Sequence, residues 1–515
     1  MSAIVTDELR IQANGHTAVA ATAGAAALLR QRIETRQAVV AVMGLGYVGM
    51  PLAVAFAEAG FRVIGIDVDK RRVDGLNEGQ SHISDVTSER LAPLVKPLVT
   101  ANGRLVPVSA NGHSNGSGAT KKRNGGTGEQ RHAGKGSLAA TTDYNILYDV
   151  DAVIICVPTP LGTTKDPDMS YIVAAVDEIA LRLHPGMLIV LESTTYPGTT
   201  EELLLPRLQQ ATPHHTGSSN GNGNHASHSA LVVGRDFFLA FSPERIDPGR
   251  IDYTVATTPK VIGGVTHTCR QVTQALYSCA IEQVVPVSGP TTAEMVKLLE
   301  NTFRAVNIGL INEMAIMCDR LGVDVWEVIE AAKTKPFGYM PFYPGPGLGG
   351  HCIPIDPQYL AWKLKTLNYN ARFIQLAADI NFAMPHYVLE KVADALNEQG
   401  KPLSGARIVI LGVAYKADVG DVRESPALDL IKLLQAKNAD VVYNDPYVPE
   451  LKVDGVSMRS VALDGETLET ADCVVIATGH RTYDWAWTME HSRLVVDTRN
   501  ATHDVMALPG QLVRL

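Results

Sequence analysis

The stretch GLGYVG, residues 44–49, constrains the fold of this chain more than any other feature. The apolar run AVVAVM before it is typical of a buried strand, and PLAVAFAEAG after it is typical of a helix. In such a strand–turn–helix unit, Gly44 suits a tight turn, Gly46 the close approach of a pyrophosphate, and Gly49 helix–strand packing. The pattern predicts a dinucleotide site, and the alternative is a glycine turn without a ligand.

The next strand, FRVIGIDVD, contains Asp67 near its end, about twenty residues after the glycines. An acidic side chain at this place can accept a hydrogen bond from a ribose 2′-hydroxyl, which favours NAD over NADP. Lys70, Arg71 and Arg72 follow directly, and these cations leave NADP open as an alternative.

Strand-like and helix-like segments continue to alternate along the chain, which predicts two doubly wound α/β domains of Rossmann type. A long helix is expected between them, over about residues 292–321, with apolar residues recurring at three- and four-residue steps. Ser425 is expected to be the N-cap of a helix over 425–437, because Pro426 follows it. The other strand-like runs are VDAVIICVPTP, GMLIVLESTTYPG, ARIVILGVAY, ADVVYND, ADCVVIATG and SRLVVDTR.

Two segments, 101–140 and 211–229, have too few apolar residues to offset the conformational entropy that ordering would cost, and they are predicted to be flexible inserts. The first residues are interpreted as a flexible tail or an added helix, without the features of a signal peptide. The second domain's first turn, GVAYKADVGDVR, lacks the glycine fingerprint, so we expect one dinucleotide site. The expected parts are a tail at 1–37, an NAD-binding domain at 38–287, a central helical domain at 288–400 and a second Rossmann-like domain at 401–515.

Composition excludes several classes of function. The 515 residues are 46% hydrophobic and carry a net charge of −9, which argues against a nucleic-acid binder. No apolar run approaches the ~18 residues of a membrane span. The six cysteines are scattered and form no CxxC pair, so neither a zinc site nor a disulfide framework is indicated. We expect a cytoplasmic protein.

The stretch GPGLGGHCIPIDP places Cys352 in a loop too rich in glycine and proline for an ordinary helix or strand. An accessible thiol near a lysine is a candidate nucleophile. Lys297 and Asn301 lie four residues apart on one face of the long helix, where Lys297 could also be merely solvated. Glu244 stands between two prolines, and Asp356 could be only a helix N-cap. Together with NAD, these residues predict oxidation of an alcohol or aldehyde through a thioester.

Seven motifs resemble the UDP-glucose/GDP-mannose dehydrogenase family, over about residues 38–505. They are GLGYVGMPLA, CVPTP, ESTTYPGTT, FSPERIDPG, AEMVKLLENTFRAVNIGLINE, GPGLGGHCIPIDP and GVAYKADVGDVRESPA. The forms SPERIDPG and KPFGYMPFYPGPGLGGHCIPIDP are most similar to the branch that oxidises UDP-N-acetylglucosamine at C6. The resemblance implies a four-electron oxidation to the uronic acid with two NAD per sugar, in polysaccharide precursor synthesis.

The resemblance also implies residue roles. Cys352 would be the nucleophile, with Lys297 and Asn301 stabilising an oxyanion. Asp356 would act as a base through water, and Glu244 with Thr159 would activate water. The implied cofactor-binding residues are Gly44, Gly46, Tyr47, Val48, Gly49, Asp67, Arg72, Thr159, Thr194 and Arg423. The implied substrate-binding residues are Glu244, Arg245, Ile246, Lys297, Asn301, Tyr343, Gly349, Tyr415, Lys416 and Arg499.

Two departures from the family pattern bear on the sugar. Pro248 stands where the UDP-glucose enzymes carry a further acid, and Arg499-Asn500 stands where they carry two arginines. Both argue against glucose. The alternatives are UDP-N-acetylmannosamine, UDP-glucose or GDP-mannose as substrate, a two-electron hydroxyacid dehydrogenase, and an NAD-sensing scaffold without catalysis. The apolar stripe of the long helix predicts a homodimer or higher homo-oligomer.

Overall fold

The computed structural model describes residues 24–83, 85–101, 104–105, 136–162, 166–210, 231–246, 253–350, 352–453 and 455–515. The chain divides into two compact units. The first comprises Met1–Pro160 and Pro167–Lys297, and the second comprises Leu161–Asp166 and Leu298–Leu515. No helix in the described parts is both long and apolar enough to cross a membrane.

The first unit alternates strands and helices. Its strands are β1 (Val39–Met43), β2 (Arg62–Ile66), β3 (Thr100–Ala101), β4 (Arg104–Leu105), β5 (Ser137–Thr141), β6 (Ala152–Ile155), β7 (Leu188–Leu191), β8 (Phe238–Phe241), β9 (Lys260–Gly264) and β10 (Val284–Pro286). Its helices are α1 (24–34), α2 (Gly49–Glu58), α3 (Lys70–Asn77), α4 (Ser88–Leu91), α5 (Ser170–Ala180), α6 (Leu205–Gln209) and α7 (His267–Tyr277), and a π-helical turn at Thr200–Leu204 precedes α6. Helix α8 (Pro290–Leu321) begins in this unit and ends in the second.

The main sheet of the first unit has the strand order β10-β9-β8-β7-β6-β1-β2-β5. From β5 to β8 this is the order of the Rossmann fold, with the switch point between β1 and β6. The fully apolar strands β1, β6, β7 and β8 are buried throughout, as expected when helices cover both faces. The predicted doubly wound domain is therefore confirmed, with one departure: β9 runs antiparallel to β8.

Two interpretations of the first unit need correction. Residues 24–34 are not a flexible tail but helix α1, whose Leu29 and Ile33 are buried in the unit's core. The predicted insert 101–140 is too long at its end, because β5 pairs with β2 along its whole length. Of the predicted tail and inserts, residues 1–23, 102–103, 106–135 and 211–229 lie outside the described residues.

The second unit contains a parallel sheet of order β12-β11-β15-β16-β17 and a small antiparallel pair, β13 with β14. The strands are β11 (Arg407–Leu411), β12 (Asp440–Asn444), β13 (Glu450–Val453), β14 (Val456–Arg459), β15 (Cys473–Ile476), β16 (Val495–Asp497) and β17 (Leu512–Arg514). The helices are α9 (Val325–Lys333), α10 (Asp356–Lys365), α11 (Arg372–Glu398), α12 (Pro426–Ala436), α13 (Gly465–Glu469) and α14 (Trp485–His491). The switch point of this sheet lies between β11 and β15, which confirms the second Rossmann-like domain.

Helix α12 begins as predicted at Pro426, with Ser425 in an extended N-cap conformation. The expected capping by the Ser425 side chain is wrong, since its hydroxyl makes no cap hydrogen bond. Within the described structure this hydroxyl is buried without a partner. The proline at the first helical position, rather than the serine side chain, therefore starts the helix here.

Candidate active site

The three glycines of the turn after β1 have different surroundings. Gly44 has φ +91°, and a Cβ there would lie 2.5 Å from the Cys156 carbonyl oxygen. A Cβ on Gly49 would lie 1.9 Å from the Gly44 carbonyl oxygen. A Cβ on Gly46 would meet nothing within 4 Å. Packing thus excludes side chains at Gly44 and Gly49, whereas Gly46 faces open space at the start of α2, where a pyrophosphate could approach.

Asp67 lies just beyond β2 and is buried. Its Oδ2 accepts from the backbone N–H of Leu45 at 2.8 Å, and its Oδ1 accepts from that of Asp69 at 2.9 Å. Arg72 Nη1 lies 3.5 Å from Oδ2. The carboxylate therefore anchors the glycine turn itself, and it retains lone pairs for a ribose hydroxyl.

The other predicted cofactor residues of the first unit lie at the carboxyl edge of the same sheet. Thr159 follows β6 and is 3% exposed, and half-buried Thr194 follows β7. Because β6 adjoins β1 across the switch point, Thr159 and the glycine turn lie at the edge where doubly wound sheets bind ligands. The open space at Gly46 and the Asp67 carboxylate fit a dinucleotide.

Glu244, in the loop after β8, is buried, and both of its carboxylate oxygens have partners. Its Oε1 accepts from the backbone N–H groups of Arg245 and Ile246, at 2.7 and 2.6 Å. Its Oε2 lies 3.4 Å from Lys260 Nζ. Burial alone would raise the pKa of Glu244, but Lys260, Lys297 and the two N–H groups outweigh it and lower the pKa. The carboxylate is thus held ionised.

Sequence reasoning missed the partners of Lys260. Its Nζ also lies 2.8 Å from Glu192 Oε2, and the Tyr277 hydroxyl donates to Glu192 Oε1. Glu192 and Tyr277 are 0% exposed and Lys260 is 4% exposed. The signal available was a glutamate in the motif ESTTYPG and a lysine opening an apolar strand, each of which is ambiguous alone.

Lys297 is 7% exposed, so the alternative of a solvated lysine is wrong. Glu294, one turn earlier on α8, is buried and fixes the start of this helix. Its carboxylate accepts from the Gly198 N–H at 2.5 Å, and from the N–H and hydroxyl of Thr200 at 2.9 and 2.7 Å. This anchoring to the loop after β7 sets the position of Lys297.

In the second unit, Cys352 is exposed. All six cysteines are described: four are buried, including Cys156 and Cys473, and Cys279 is half-buried. Burial raises the pKa of Cys156 and Cys473, as expected for inert thiols. The contrast identifies Cys352 as the accessible thiol, in agreement with the expectation from its loop.

The turn from Cys352 leads directly into α10. The Cys352 carbonyl accepts from the N–H of Asp356 at 2.8 Å, and α10 begins at this aspartate. Asp356 is 1% exposed and its Oδ2 accepts from Asn301 Nδ2 at 2.6 Å. The N-cap position belongs to Ile355, so the alternative role of Asp356 as an N-cap is wrong. Asn301 and Asp356, which the sequence indicated separately, are therefore in contact.

The glycines before Cys352 pack against residues that follow the strands of the C-terminal sheet. A Cβ on Gly345 would lie 2.4 Å from Arg499 Nη1, and a Cβ on either Gly349 or Gly350 would lie 2.8 Å from the Tyr415 side chain. Arg499 donates to the Ala477 carbonyl at 3.0 Å, and burial lowers its pKa to about 10. The structure thus brings the predicted residues Gly349, Tyr415 and Arg499 to one loop.

The loop that follows β11 is clamped by a buried pair that sequence reasoning also missed. Asp445 Oδ2 accepts from Val413 N–H and Ala414 N–H, and from His480 Nε2 at 3.0 Å. His480 Nδ1 accepts from the Asp418 N–H at 2.9 Å. The pair fixes the backbone on both sides of Tyr415 and half-buried Lys416.

The remaining predicted residues have other partners. Tyr343 is 43% exposed, donates to Glu330 Oε1 at 2.8 Å and stacks on Trp326. Arg423 pairs with Asp421 at 2.6 Å. Tyr47 is exposed and Val48 is half-buried at the start of α2. No feature of these four residues tests their predicted roles.

Comparison with known proteins finds three domain models of one family along the chain. Domain models of the UDP-glucose/GDP-mannose dehydrogenase family match as the NAD binding domain over 38–106 and 129–281, the central domain over 291–383 and the UDP binding domain over 409–504. An NDP-N-acetyl-D-galactosaminuronic acid dehydrogenase of Ralstonia nicotianae is 34% identical over 468 residues, 89% of this chain and 95% of that protein. A UDP-N-acetyl-D-mannosamine dehydrogenase of Salmonella typhi is 33% identical over 473 residues, 89% of this chain and 98% of that protein.

A solved structure extends this similarity to the fold. The UDP-D-ManNAc dehydrogenase of Pyrococcus horikoshii has a TM-score of 0.73 at 31% identity, covering 92% of this chain and 98% of that chain. The chain belongs to the UDP-glucose/GDP-mannose dehydrogenase family and is an NAD-dependent nucleotide-sugar dehydrogenase.

Proposed function

We propose that this enzyme oxidises the C6 hydroxyl of a UDP-N-acetylhexosamine to the carboxylate, using two NAD per sugar. The observation that carries the proposal is the exposed Cys352, placed at the turn that leads to buried Asp356 and its hydrogen bond with half-buried Asn301. A four-electron oxidation without release of the aldehyde needs a group that holds it between the two hydride transfers. A thiol can do so, first as a thiohemiacetal and then as a thioester.

The chain's residues would act in sequence. NAD bound at the glycine turn supplies the hydride acceptor for both oxidations. Asp356 accepts the C6 hydroxyl proton through water in the first oxidation, and the Cys352 sulfur then adds to the aldehyde carbon. Lys297 and Asn301 stabilise the oxyanion, since Asn301 Nδ2 carries a second hydrogen besides the one donated to Asp356. Loss of the second hydride leaves the thioester.

Hydrolysis completes the reaction. Water adds to the thioester carbon and gives one proton to Glu244. The bond between C6 and sulfur then breaks, the Cys352 thiolate leaves, and the carboxylic acid loses the second proton to solvent as the carboxylate forms. The ionised Glu244 suits the task of ordering this water, because its Oε1 is fixed by two backbone N–H groups. Thr159, at the edge of the same sheet, would hold the water with it. Tyr415, Lys416 and Arg499 would bind the UDP-sugar at the carboxyl edge of the second sheet.

The configuration of the sugar is the finer question. The resemblance of SPERIDPG and the Cys352 loop favours UDP-N-acetylglucosamine. The relatives described above are named for N-acetylmannosamine and for N-acetylgalactosaminuronic acid, at nearly equal identities of 33% and 34%. Both sugars carry an acetamido group, and relative to N-acetylglucosamine the first differs in configuration at C2 and the second at C4. The shared acetamido group supports an N-acetylhexosamine as the substrate class.

The test is a panel of UDP-N-acetylglucosamine, UDP-N-acetylmannosamine, UDP-N-acetylgalactosamine, UDP-glucose and GDP-mannose. NADH produced per sugar consumed should be two for an acetylated sugar, with slower turnover of the two unacetylated ones. One NADH per substrate would indicate a two-electron dehydrogenase instead. Absence of NADH with every sugar would refute the proposal.

We also propose that the enzyme is a homodimer or higher homo-oligomer. On α8, Phe303, Leu310 and Met317 recur every seven residues and are each 44–55% exposed. On α11, Phe373 and Leu376 are 75% and 55% exposed. Apolar side chains of this size, repeated along helices, suit a contact with a second copy.

A further inference from the structure

Glu192, Lys260 and Tyr277 form a buried polar cluster in the first unit that the mechanism above does not use. Lys260 Nζ lies between two carboxylates, 2.8 Å from Glu192 Oε2 and 3.4 Å from Glu244 Oε2. Placing an ammonium and two carboxylates out of water costs more than an apolar core of the same size. A cluster of this kind in contact with Glu244 therefore calls for a functional explanation.

The antiparallel strand β9 produces the contact. Phe241 of β8 is paired with Gly263 of β9. Glu244 lies three residues after Phe241, in the loop that follows β8, and Lys260 lies three residues before Gly263, at the start of β9. The antiparallel direction thus brings the two side chains to the same end of the strand pair, where they lie 3.4 Å apart. The one departure from a parallel sheet thus delivers a lysine to the proposed water-activating carboxylate.

Two elements from elsewhere in the unit hold the lysine in place. Glu192 directly follows β7, and its backbone N–H donates to Ile155 at 2.9 Å. Tyr277, the last residue of α7, donates to the Glu192 oxygen that Lys260 does not contact. Burial raises the pKa of Glu192, while its partners offset this only in part. The phenol and ammonium thus satisfy both of its oxygens.

Groups of both positive and negative charge face Glu244. Burial would lower the pKa of Lys260, but the two carboxylates outweigh burial and raise it, so the lysine is a permanent cation. Glu192 opposes ionisation of Glu244, and Lys260 and Lys297 favour it. The groups facing Glu244 are Lys260 on β9, Glu192 after β7, Cys156 after β6, Tyr277 on α7, Lys297 on α8 and the N–H groups of Arg245 and Ile246.

We propose that Lys260 is a positioning residue, held by Glu192 and Tyr277, that keeps Glu244 ionised and oriented toward the hydrolytic water. The role in hydrolysis rests on the function proposed above. The electrostatic part, in which Lys260 and Glu192 set the ionisation of Glu244 with opposite signs, does not.

The first experiment measures kcat against pH for the acetylated sugar that the panel identifies. Lys260→Met should move the acid limb of the pH–rate profile, where the rate falls as Glu244 is protonated, to higher pH by at least about one unit. The reason is that a positive charge within a few ångströms of the carboxylate is removed. Lys260→Arg should restore the limb toward that of the unmodified enzyme. Glu192→Gln should move it to lower pH, because Lys260 then faces Glu244 alone. A merely structural cluster would lower the rate at all pH values and leave the limb in place.

The second experiment uses no substrate and compares melting temperatures of the enzyme and its Glu244→Gln variant against pH. A carboxyl whose pKa is lowered by folding stabilises the native state above its ordinary pKa of 4.5, and this advantage over glutamine is lost as the pH falls through the lowered pKa. With Lys260→Met in both proteins, the pKa of Glu244 should be higher than it is beside Lys260. The advantage over glutamine should then be smaller, and it should be lost at a higher pH as the pH falls.

Asp151→Asn is the matched control. This carboxylate accepts from the Val39 N–H at 2.7 Å and pairs with Arg32, and it precedes β6 at the opposite edge of the sheet. It should change melting without moving the acid limb. The inference would be overturned if the melting-temperature difference between the enzyme and Glu244→Gln depended on pH in the same way with and without Lys260. An unmoved acid limb in Lys260→Met would also overturn it. If no nucleotide sugar were oxidised, the proposed function would fail, and the melting comparison would still decide whether Lys260 sets the ionisation of Glu244.

Discussion

The substitution Gly46→Ala separates cofactor binding from folding in the glycine turn. Gly46 lacks the positive φ of Gly44, and a Cβ there would meet no protein atom within 4 Å. Alanine should therefore be accepted by the folded chain without a clash. Its smaller unfolded-state entropy should even stabilise the protein by about 0.4–1 kcal/mol.

The same methyl group should harm the binding of NAD. If the pyrophosphate approaches the backbone at Gly46, the added Cβ occupies its van der Waals space. Forcing one methyl group into a packed contact costs about 1–3 kcal/mol. Converted at 1.4 kcal/mol per tenfold, the dissociation constant of NAD should rise about 5- to 140-fold.

Calorimetric titration with NAD and melting of the ligand-free protein measure the two effects separately. Gly49→Ala is the matched control, because its Cβ would lie 1.9 Å from a backbone oxygen, and it should cost about 3 kcal/mol or more of stability. Unchanged NAD affinity in Gly46→Ala would refute the assignment of the pyrophosphate to this turn. A melting temperature far below that of the unmodified protein would refute the claim of open space.

Four further outcomes are expected. Cys352→Ser should bind NAD and the UDP-sugar but lose at least about 10³-fold in turnover, with no acyl-enzyme in the mass spectrum, and acid production at near-native rate would contradict the thioester. Asp67→Ala should weaken the binding of both NAD and NADP, because the Leu45 N–H loses its acceptor, and it should weaken NAD binding more. An unchanged ratio of the two affinities would argue against recognition of the ribose by Asp67. Replacing 107–134 by a short Gly/Ser link should leave melting and turnover nearly unchanged, because loop closure changes by only about 0.6 kcal/mol per doubling of length, and a large loss of activity would show that the insert acts at the site. Phe303→Glu should convert the oligomer to a monomer in sedimentation at micromolar concentration, whereas an unmodified protein that is already monomeric would refute the oligomer.

The alternation of strands and helices could be predicted because it is a local property. Strand β1 and helix α2 are read directly from an apolar run, a glycine turn and a helix-like run. Strand β5 was missed because SLAAT has little β propensity and follows a long polar segment. Its burial comes from pairing with β2, more than seventy residues earlier in sequence, and no local pattern reports such a partner.

The same distinction applies to the site. Asp356 and Asn301 could be proposed singly, and their contact across 55 residues required the fold. Whether Lys297 is solvated was decided by its burial in the structure. The spacing of residues on the helix could not show this burial. Residue type and motif therefore indicated the chemistry, whereas the partner of each group depended on tertiary structure.

Lys260 shows why some functional residues cannot be identified from sequence. A lysine at the start of an apolar strand is ordinarily interpreted as an exposed end, with its charge in water. Its burial between Glu192 and Glu244 depends on β9 running antiparallel to β8, against the parallel direction that the βαβ pattern predicts. Reversing that strand would move Lys260 away from Glu244. The cation beside the carboxylate is therefore a consequence of strand direction, and strand direction is decided by long-range pairing.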